Sequence, residues 1–186
     1  MSVLARLLQR GDTGPAVAIE PMRRKHLSSI LAIERVSYPR PWTEGVFQSE
    51  IDHNRSGHRY YIVAKRGRDL VGYGGLMFAV DEAHVTNIAV HPDHRRHHVG
   101  TRLLAELAYE AIRRRCTALT LEVRVSNTGA QALYREFGFV PAGVRQRYYE
   151  NTEDAMVMWC HDLADAGYLD RLHELCPEAT PAGGER

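Results

Sequence analysis

The stretch from Asn87 to Thr101 joins an apolar run, a polar turn and the start of a long amphipathic helix. The turn is basic, because Arg95 and Arg96 lie just before the helix, and Gly100 follows at the helix start. The first four N–H groups of a helix have no partner within it, and the helix dipole favours negative charge there. Glycine lets a ligand approach the backbone closely. The spacing therefore predicts an anion site that suits a pyrophosphate.

The same turn is rich in histidine, which raises two other interpretations. Four of the ten histidines lie within eight residues, namely His91, His94, His97 and His98. Imidazole is a common zinc ligand, but no carboxylate or thiol partner lies at a settled spacing, so we predict no metal. A nucleic-acid patch usually interleaves aromatic residues with basic ones, and this turn has none, so we predict no nucleic-acid partner. No Walker loop occurs in the chain.

The turn resembles the acyl-CoA-binding motif of the GNAT superfamily of N-acetyltransferases, [RQ]-x-x-G-x-[GA], which follows a strand. The resemblance implies acetyl-CoA as the co-substrate. It implies that the main chain of the strand and the turn bind it, through Ile88, Ala89, Val90, Arg95, Arg96, His97, His98, Val99, Gly100 and Thr101. The departure is His98, which occupies the position of the family's first glycine. Either the backbone avoids positive φ there, or His98 adopts it at some cost.

A second set of motifs is similar to the RimI type of ribosomal-protein alanine N-acetyltransferases. It covers residues 17–163 and comprises Pro41-Trp42-Thr43, Asp81-Glu82-Ala83, Leu121 to Asn127, Ala132-Leu133-Tyr134, Phe137-Gly138-Phe139, Arg147-Tyr148-Tyr149 and Glu153-Asp154-Ala155. The resemblance implies acetylation of the N-terminal alanine of the small-subunit ribosomal protein numbered eighteen. Acetyl transfer would occur by direct attack in a ternary complex, without a covalent enzyme intermediate.

Two catalytic residues are implied by this resemblance. Glu122 is similar to the family's proton acceptor, which removes a proton from the acceptor amine directly or through one water. Tyr134 is similar to the general acid, and a phenol with a pKa of about 10 is protonated at neutral pH. From the residues alone, Glu122 is equally a surface or ion-paired glutamate beside Arg124. Tyr134 is equally a core tyrosine that packs its helix on the sheet.

The remaining site residues likewise allow both a functional and a purely structural interpretation. Asn127 is similar to a residue that contacts the cofactor, and asparagine also caps helices well. The family threads a peptide N-terminus between the first pair of helices and the last hairpin. This implies that Trp42, Tyr148 and Tyr149 bind the acceptor, although Trp42 is also a candidate core anchor.

Hydrophobic periodicity predicts the elements that position these residues. We predict strands at 17–20, 59–65, 70–80, 83–90, 118–123, 139–144 and 155–163, and helices at 24–36, 43–51, 99–116, 128–137 and 166–175. Hairpins mix with strand–helix units, so the sheet should be mixed, with helices on both faces. The fold class is therefore α/β (α+β). The resemblance implies the GNAT fold, with a mostly antiparallel sheet of about seven strands, about four helices and a possible C-terminal helix.

Composition places limits on this interpretation. A chain of 186 residues is one domain, and 24 Lys+Arg against 23 Asp+Glu exclude a strong global attraction to nucleic acid or an anionic membrane. We predict a flexible leader at 1–16, the acetyltransferase domain at 17–163, and a C-terminal extension at 164–186, helical and then frayed. The three cysteines are widely spaced and form no C-x-x-C pair. This is typical of reduced thiols in the cytoplasm.

Two other functions stay open at this level. The same fold could acetylate a small amine such as a polyamine, an antibiotic or an amino acid, with the Trp42 loop and the tyrosine pair closing a small pocket. The chain could also be a non-catalytic acyl-CoA-binding module, an interpretation that only the departure at His98 favours.

Overall fold

The computed structural model describes residues 16–54, 56–161 and 163–179. These residues form one sheet with helices on both of its faces. The strands are β1 (Val17–Pro21), β2 (Arg59–Arg66), β3 (Asp69–Ala79), β4 (Glu82–Val90), β5 (Ala118–Arg124), β6 (Val140–Tyr149) and β7 (Glu153–Cys160). The α-helices are α1 (Leu27–Ser37), α2 (Glu44–Asn54), α3 (Val99–Arg113), α4 (Thr128–Glu136) and α5 (Ala166–Leu175).

The seven strands lie in the order β1-β2-β3-β4-β5-β7-β6. Every neighbouring pair is antiparallel except β4 and β5, which run parallel. A parallel pair needs a crossover connection, which α3 provides. The predicted GNAT fold is confirmed: a mixed, mostly antiparallel sheet with four helices and a C-terminal one.

The parallel pair β4–β5 is short, and this creates a gap in the sheet. Its register comprises only Glu82 with Ala118, Ala83 with Leu119 and His84 with Thr120. Beyond these pairs β4 continues to Val90 and β5 to Arg124 without pairing to each other. A register shift between β3 and β4 lies at the same level, opposite Thr86, and such a bulge bends and twists a strand. The two strands therefore diverge.

The sheet separates two layers of core. On one face α3, α4 and α5 bury residues such as Leu103, Leu107 and Leu172 against Leu121 and Val123 of β5. On the other face α1 and α2 bury residues including Ile30, Ile33, Phe47, Tyr61 and Tyr73. Leu121 and Val123 alternate with the half-buried Glu122 and Arg124, so the latter two point to the face opposite α3.

Glycines on β3 allow α3 to approach the sheet closely. A Cβ at Gly72 would lie 2.9 Å from the carbonyl oxygen of Ala89 and 3.1 Å from Val99 Cγ1. The absence of a side chain there lets the N-terminal end of α3 pack against the end of β4. The strand, the basic turn and the helix start are thereby held together.

Several predicted boundaries differ from the structure. The first predicted helix begins as a 3₁₀ turn at Arg24–His26 before α1. The helix predicted to reach Cys116 ends at Arg113, because Arg115 adopts a left-handed φ of 61°. The strand predicted at 139–144 extends to Tyr149, since β6 resumes pairing with β7 beyond an irregular stretch.

The predicted leader falls almost entirely on residues 1–15, outside the described residues, as does the final stretch 180–186 of the extension. Within the part of the chain that the structure describes, no helix is both long and apolar enough to span a bilayer. The same part contains three buried cysteines, Cys116, Cys160 and Cys176.

Candidate active site

A cavity of about 260 Å³ occupies the gap between β4 and β5. Its wall includes Leu121 and Val123 from one face of β5 and Glu122 and Arg124 from the other. An unbroken sheet would separate these two faces, so the cavity touches both because the strands diverge. The rest of the wall comes from α1, the α1–α2 connection, β4, α4 and the end of the β6–β7 hairpin, namely Glu34, Tyr38, Arg40, Trp42, Val85, Thr86, Asn87, Ile88, Asn127, Ala130, Tyr134, Tyr149 and Glu150.

The Glu122 carboxylate is held from two sides at the cavity wall. Its side chain is 8% exposed, and its two oxygens contact different partners: Oε1 lies 3.1 Å from the Arg145 guanidinium and Oε2 lies 3.0 Å from His84 Nε2. A carboxylate has about four lone-pair sites, so two contacts leave it able to accept a further proton or a water. The structure thus places the predicted proton acceptor as an oriented, ion-paired carboxylate.

His84 lies on β4 at the last residue paired to β5, directly beside the gap. Burial lowers the pKa of its imidazole, and Arg145 lowers it further, while the Glu122 carboxylate opposes both. The lowered pKa keeps the ring neutral at neutral pH. A neutral imidazole lies close to Glu122 without placing a second full positive charge beside it.

Tyr134 reaches the cavity from α4, on the sheet face opposite Glu122. Its ring packs 5.8 Å from that of Phe139, and burial raises the pKa of its phenol to about 12. The hydroxyl therefore stays protonated well above neutral pH and keeps its ability to donate. Tyr134 thus lies in the α3–α4 core and also lines the cavity.

The two tyrosines of the β6–β7 hairpin are placed differently. The Tyr149 hydroxyl donates to the main-chain oxygen of Glu122 at 3.0 Å, and its ring lies 4.1 Å from the Arg124 guanidinium. Arg124 also pairs with Glu150 and Glu153. Tyr149 thus lines the cavity and fixes the hairpin to β5. Tyr148 is 48% exposed beside it and does not line the cavity.

Asn127 and Trp42 both line the cavity and both have structural roles. The Asn127 side chain accepts a hydrogen bond from the Ala130 N–H at 3.1 Å, which caps the N-terminus of α4. The half-buried Trp42 ring packs 5.4 Å from that of Phe47 on α2. A packing or capping role therefore does not remove either residue from the site.

The basic turn lies outside the cavity wall, at the start of α3. His98, which replaces the family's usual glycine, adopts a left-handed φ of 56° directly before the helix, and Arg96 has a φ of 67°. Of the two alternatives, the backbone thus keeps the glycine-like conformation despite the side chain. Arg95, Arg96 and His98 are exposed. A Cβ at Gly100 would lie 3.3 Å from Leu133 Cδ2, which brings this helix start next to α4.

The main chain from Ile88 to Val90 pairs with β3 on one side and borders the gap on the other. The Tyr38 hydroxyl donates to the Ile88 carbonyl oxygen at 3.0 Å, which ties the α1–α2 connection to this edge. Burial raises the pKa of the Tyr38 phenol well above its usual value.

Sequence reasoning did not select several residues of the site, among them Glu34 and Tyr38 in the cavity wall and His84 and Arg145 beside Glu122. Glu34 carries a signal that could have found it, since a carboxylate follows Leu27, Ile30 and Leu31 on the apolar stripe of α1. His84 and Arg145 carry no such signal, because only the sheet order places them beside Glu122. Among the described residues, no group of three or more His, Cys, Asp or Glu side chains could hold a metal ion.

A split parallel strand pair, a helix start behind a left-handed basic turn, and a carboxylate and a phenol on opposite sides of one cavity are features of an acyltransferase. The chain matches the acetyltransferase (GNAT) family over residues 27–139. It belongs to this family.

Individual relatives are similar over most of the chain. A Bacillus subtilis protein provisionally named a ribosomal protein bS18-alanine N-acetyltransferase is 40% identical over 146 residues, 76% of this chain and 93% of the relative. The Escherichia coli K12 ribosomal protein bS18-alanine N-acetyltransferase is 35% identical over 145 residues, 75% of this chain and 94% of the relative. The E. coli crystal structure of the ribosomal-protein-S18-alanine N-acetyltransferase has a TM-score of 0.71 at 31% identity and covers 79% of this chain and 94% of that one.

Proposed function

We propose that this protein transfers the acetyl group of acetyl-CoA to the N-terminal α-amine of a protein in the cytoplasm, its acceptor being the N-terminal alanine of ribosomal protein bS18. The observation that carries the proposal is the cavity that passes between β4 and β5 and touches both faces of the sheet. A donor and an acceptor that approach from opposite faces meet there without competing for one entrance. The named activity of the relatives supports the choice of acceptor.

Glu122 is the proton acceptor in this mechanism. An α-amino group has a pKa of about 7.7–8.0, so much of it is protonated at neutral pH and must lose a proton before it attacks. The free lone-pair sites of the Glu122 carboxylate accept that proton, directly or through one water. His84 and Arg145 hold the carboxylate towards the gap during this step.

Tyr134 is the proton donor on the other side. The neutral amine nitrogen bonds to the thioester carbon and releases one further proton to solvent as the amide forms, while the carbon–sulfur bond breaks and the sulfur leaves with the electron pair. The Tyr134 hydroxyl, protonated because burial raises its pKa to about 12, donates a proton or a hydrogen bond to that sulfur. The two proton transfers are thus divided between the two faces of the sheet.

The donor is held by the main chain and the basic turn. The β4 edge at Ile88, Ala89 and Val90 would supply main-chain groups to the thioester, where negative charge develops in the transition state. The α3 start, with the exposed Arg95 and Arg96, would take the pyrophosphate. Asn127 contributes from the start of α4.

The acceptor would lie between the α1–α2 connection and the β6–β7 hairpin, near Trp42, Tyr148 and Tyr149. Both segments are tied to the strands that border the gap, through Tyr38 to Ile88 and through Tyr149 to Glu122. An N-terminus that enters there reaches Glu122 before it reaches Tyr134.

The experiment incubates the protein and acetyl-CoA with the N-terminal peptide of bS18, with the same peptide carrying a blocked N-terminus, and with spermidine and free alanine as small amines. Mass spectrometry locates the acetyl group. We expect acetylation at the free α-amine only. Equal turnover on the blocked peptide would contradict α-amine specificity, preference for a small amine would identify a metabolite acetyltransferase, and acetyl-CoA binding without any turnover would identify a binding module.

A further inference from the structure

We propose that Glu34 positions the acceptor indirectly. It holds the connection between α1 and α2, which borders the acceptor, in one conformation. This inference rests on the proposed function, in which residues 38–42 of that connection border the acceptor. Glu34 lies on α1, outside the set of residues that would perform the proton transfers.

Glu34 is a buried carboxylate whose partners are neutral groups. The residue is 2% exposed, its Oε1 accepts the Trp42 main-chain N–H at 2.8 Å, and its Oε2 accepts the Tyr73 hydroxyl. Within the described residues, no basic side chain forms an ion pair with it. Burial of a carboxyl group away from any ion-pair partner costs stability that an apolar side chain would not lose. A carboxylate at this position therefore points to a role beyond packing.

Glu34 binds both ends of the segment Tyr38–Trp42 in the connection between α1 and α2. Its main-chain oxygen accepts the Tyr38 N–H at 3.0 Å, and its side chain accepts the Trp42 N–H at the other end. Pro39 and Pro41 between them have no N–H to donate. The connection therefore has few hydrogen bonds of its own, and one residue supplies the acceptors at its two ends.

The connection that Glu34 holds forms part of the cavity wall. Tyr38, Arg40 and Trp42 line the cavity, and Tyr38 bonds to the Ile88 carbonyl at the β4 edge. Release of Trp42 would leave this wall free to move, while the α3 start and its basic turn would stay unchanged. Loss of the Glu34 carboxyl group should therefore weaken binding of the acceptor peptide and leave binding of acetyl-CoA unchanged.

The test compares Glu34→Met with Glu34→Gln. Methionine fills a similar volume without an acceptor for the Trp42 N–H, whereas glutamine keeps an acceptor oxygen. We expect Glu34→Met to raise the KM for the bS18 peptide about tenfold to a hundredfold, in line with the cost of leaving a buried N–H such as that of Trp42 without its acceptor. The KM for acetyl-CoA and kcat should stay within about twofold of wild type. Glu34→Gln should restore most of the peptide KM.

Tyr73→Phe is the matched control, because it removes the other hydrogen bond of Glu34 and leaves the Trp42 contact intact. It should lower stability with little change in the peptide KM. If Glu34→Met fails to fold, the double variant Glu34→Met/Tyr73→Phe removes the hydroxyl that would be left unpaired in the core.

Amide hydrogen exchange of Tyr38, Arg40 and Trp42 provides a readout that is independent of activity. Exchange should become faster in Glu34→Met and stay close to wild type in Glu34→Gln and Tyr73→Phe. Unchanged exchange in Glu34→Met, or equal shifts of both KM values, would overturn the inference. A wild-type protein that acetylates no peptide would instead overturn the proposed function, and the exchange measurement would still decide the role of Glu34.

Discussion

Tyr134 and Glu122 divide the proposed chemistry, and their surroundings suit opposite tasks. The Tyr134 phenol is buried among apolar groups, so its pKa is raised to about 12 and it remains a donor. The Glu122 carboxylate instead lies 3.1 Å from a guanidinium and 3.0 Å from an imidazole. The proposed acid therefore lies among apolar groups and the proposed base among polar ones.

Tyr134→Phe tests this division directly. The substitution removes one hydroxyl and keeps the ring that packs on Phe139, so the fold should be retained. We expect kcat to fall by about 10²–10⁴-fold, the usual contribution of an acid–base group. Steady-state kinetics with the bS18 peptide measures kcat, and calorimetry with CoA should give an unchanged Kd. An unchanged kcat would remove Tyr134 from the mechanism.

His98 adopts a left-handed backbone conformation that glycine adopts at lower cost. A non-glycine residue in the left-handed region costs roughly 1–2 kcal/mol, and His98 stands there with φ of 56°. We therefore expect His98→Gly to stabilise the protein by up to about 1 kcal/mol. Acetyl-CoA binding should be kept or tightened. Thermal unfolding and calorimetry measure the two effects.

His97→Gly is the control for that substitution, since His97 is not among the described residues with positive φ. It adds backbone freedom without relieving strain and should destabilise the protein. Clearly weaker acetyl-CoA binding in His98→Gly alone would mean that the imidazole itself contacts the cofactor.

At the scale of elements, the gap between β4 and β5 depends on how β3 supports the bulge in β4. Tyr61 on β2 lies over Gly75, where a Cβ would come 2.2 Å from its ring, and its hydroxyl lies 2.8 Å from Thr86 Oγ1 at the bulge. Gly75 thus leaves room for a tyrosine that anchors the bulged residue. Tyr61 on β2 therefore supports the divergence of β4 and β5 through its hydrogen bond to Thr86.

Gly75→Ala should disturb this support. The added methyl group cannot fit beneath the Tyr61 ring without a shift, and such overpacking costs about 1–3 kcal/mol. Chemical denaturation measures the loss, and kcat should fall with it because the cavity wall moves. Gly129→Ala on α4 is the matched control: nothing lies within 4 Å of its added Cβ, and alanine favours a helix by up to about 1 kcal/mol. Equal stabilities of the two variants would contradict this account.

At the scale of the whole molecule, α5 completes the core beneath the catalytic layer. Its buried Tyr168 and Leu172 join the same cluster as α3 and α4, although α5 follows the last strand. The helix lines no part of the cavity. This helix thus contributes to stability from outside the site.

Leu172→Ala should reveal this separation. Leu172 is 0% exposed, and truncation of a fully buried leucine costs about 2–5 kcal/mol. Leu169→Ala removes the same atoms from a leucine that is 39% exposed, so its loss of stability should be far smaller. Thermal unfolding ranks the two variants, while kcat well below their Tm should equal that of wild type in both. A loss of kcat in Leu172→Ala would mean that α5 influences the site.

The sequence by itself determined the elements and the family. Apolar periodicity placed α3 and β5 to within a few residues, because burial on one face imposes a period that is visible in the chain. The motif from Arg95 to Gly100 and the pattern around Glu122 and Tyr134 indicate acetyl transfer from the sequence alone. These signals are local, so a single sequence can carry them.

Only the tertiary structure decided how the site is assembled. It brought together residues that are distant in sequence where β4 and β5 diverge and where His84 and Arg145 contact Glu122. It also placed the Trp42 N–H against Glu34 through the conformation of a loop. The left-handed backbone at His98 likewise departs from what its side chain favours. Periodicity reports which face of an element is buried, but not which strand pairs with it or where that pairing stops. Those outcomes depend on bulges, glycines and helices packed from both sides of the sheet.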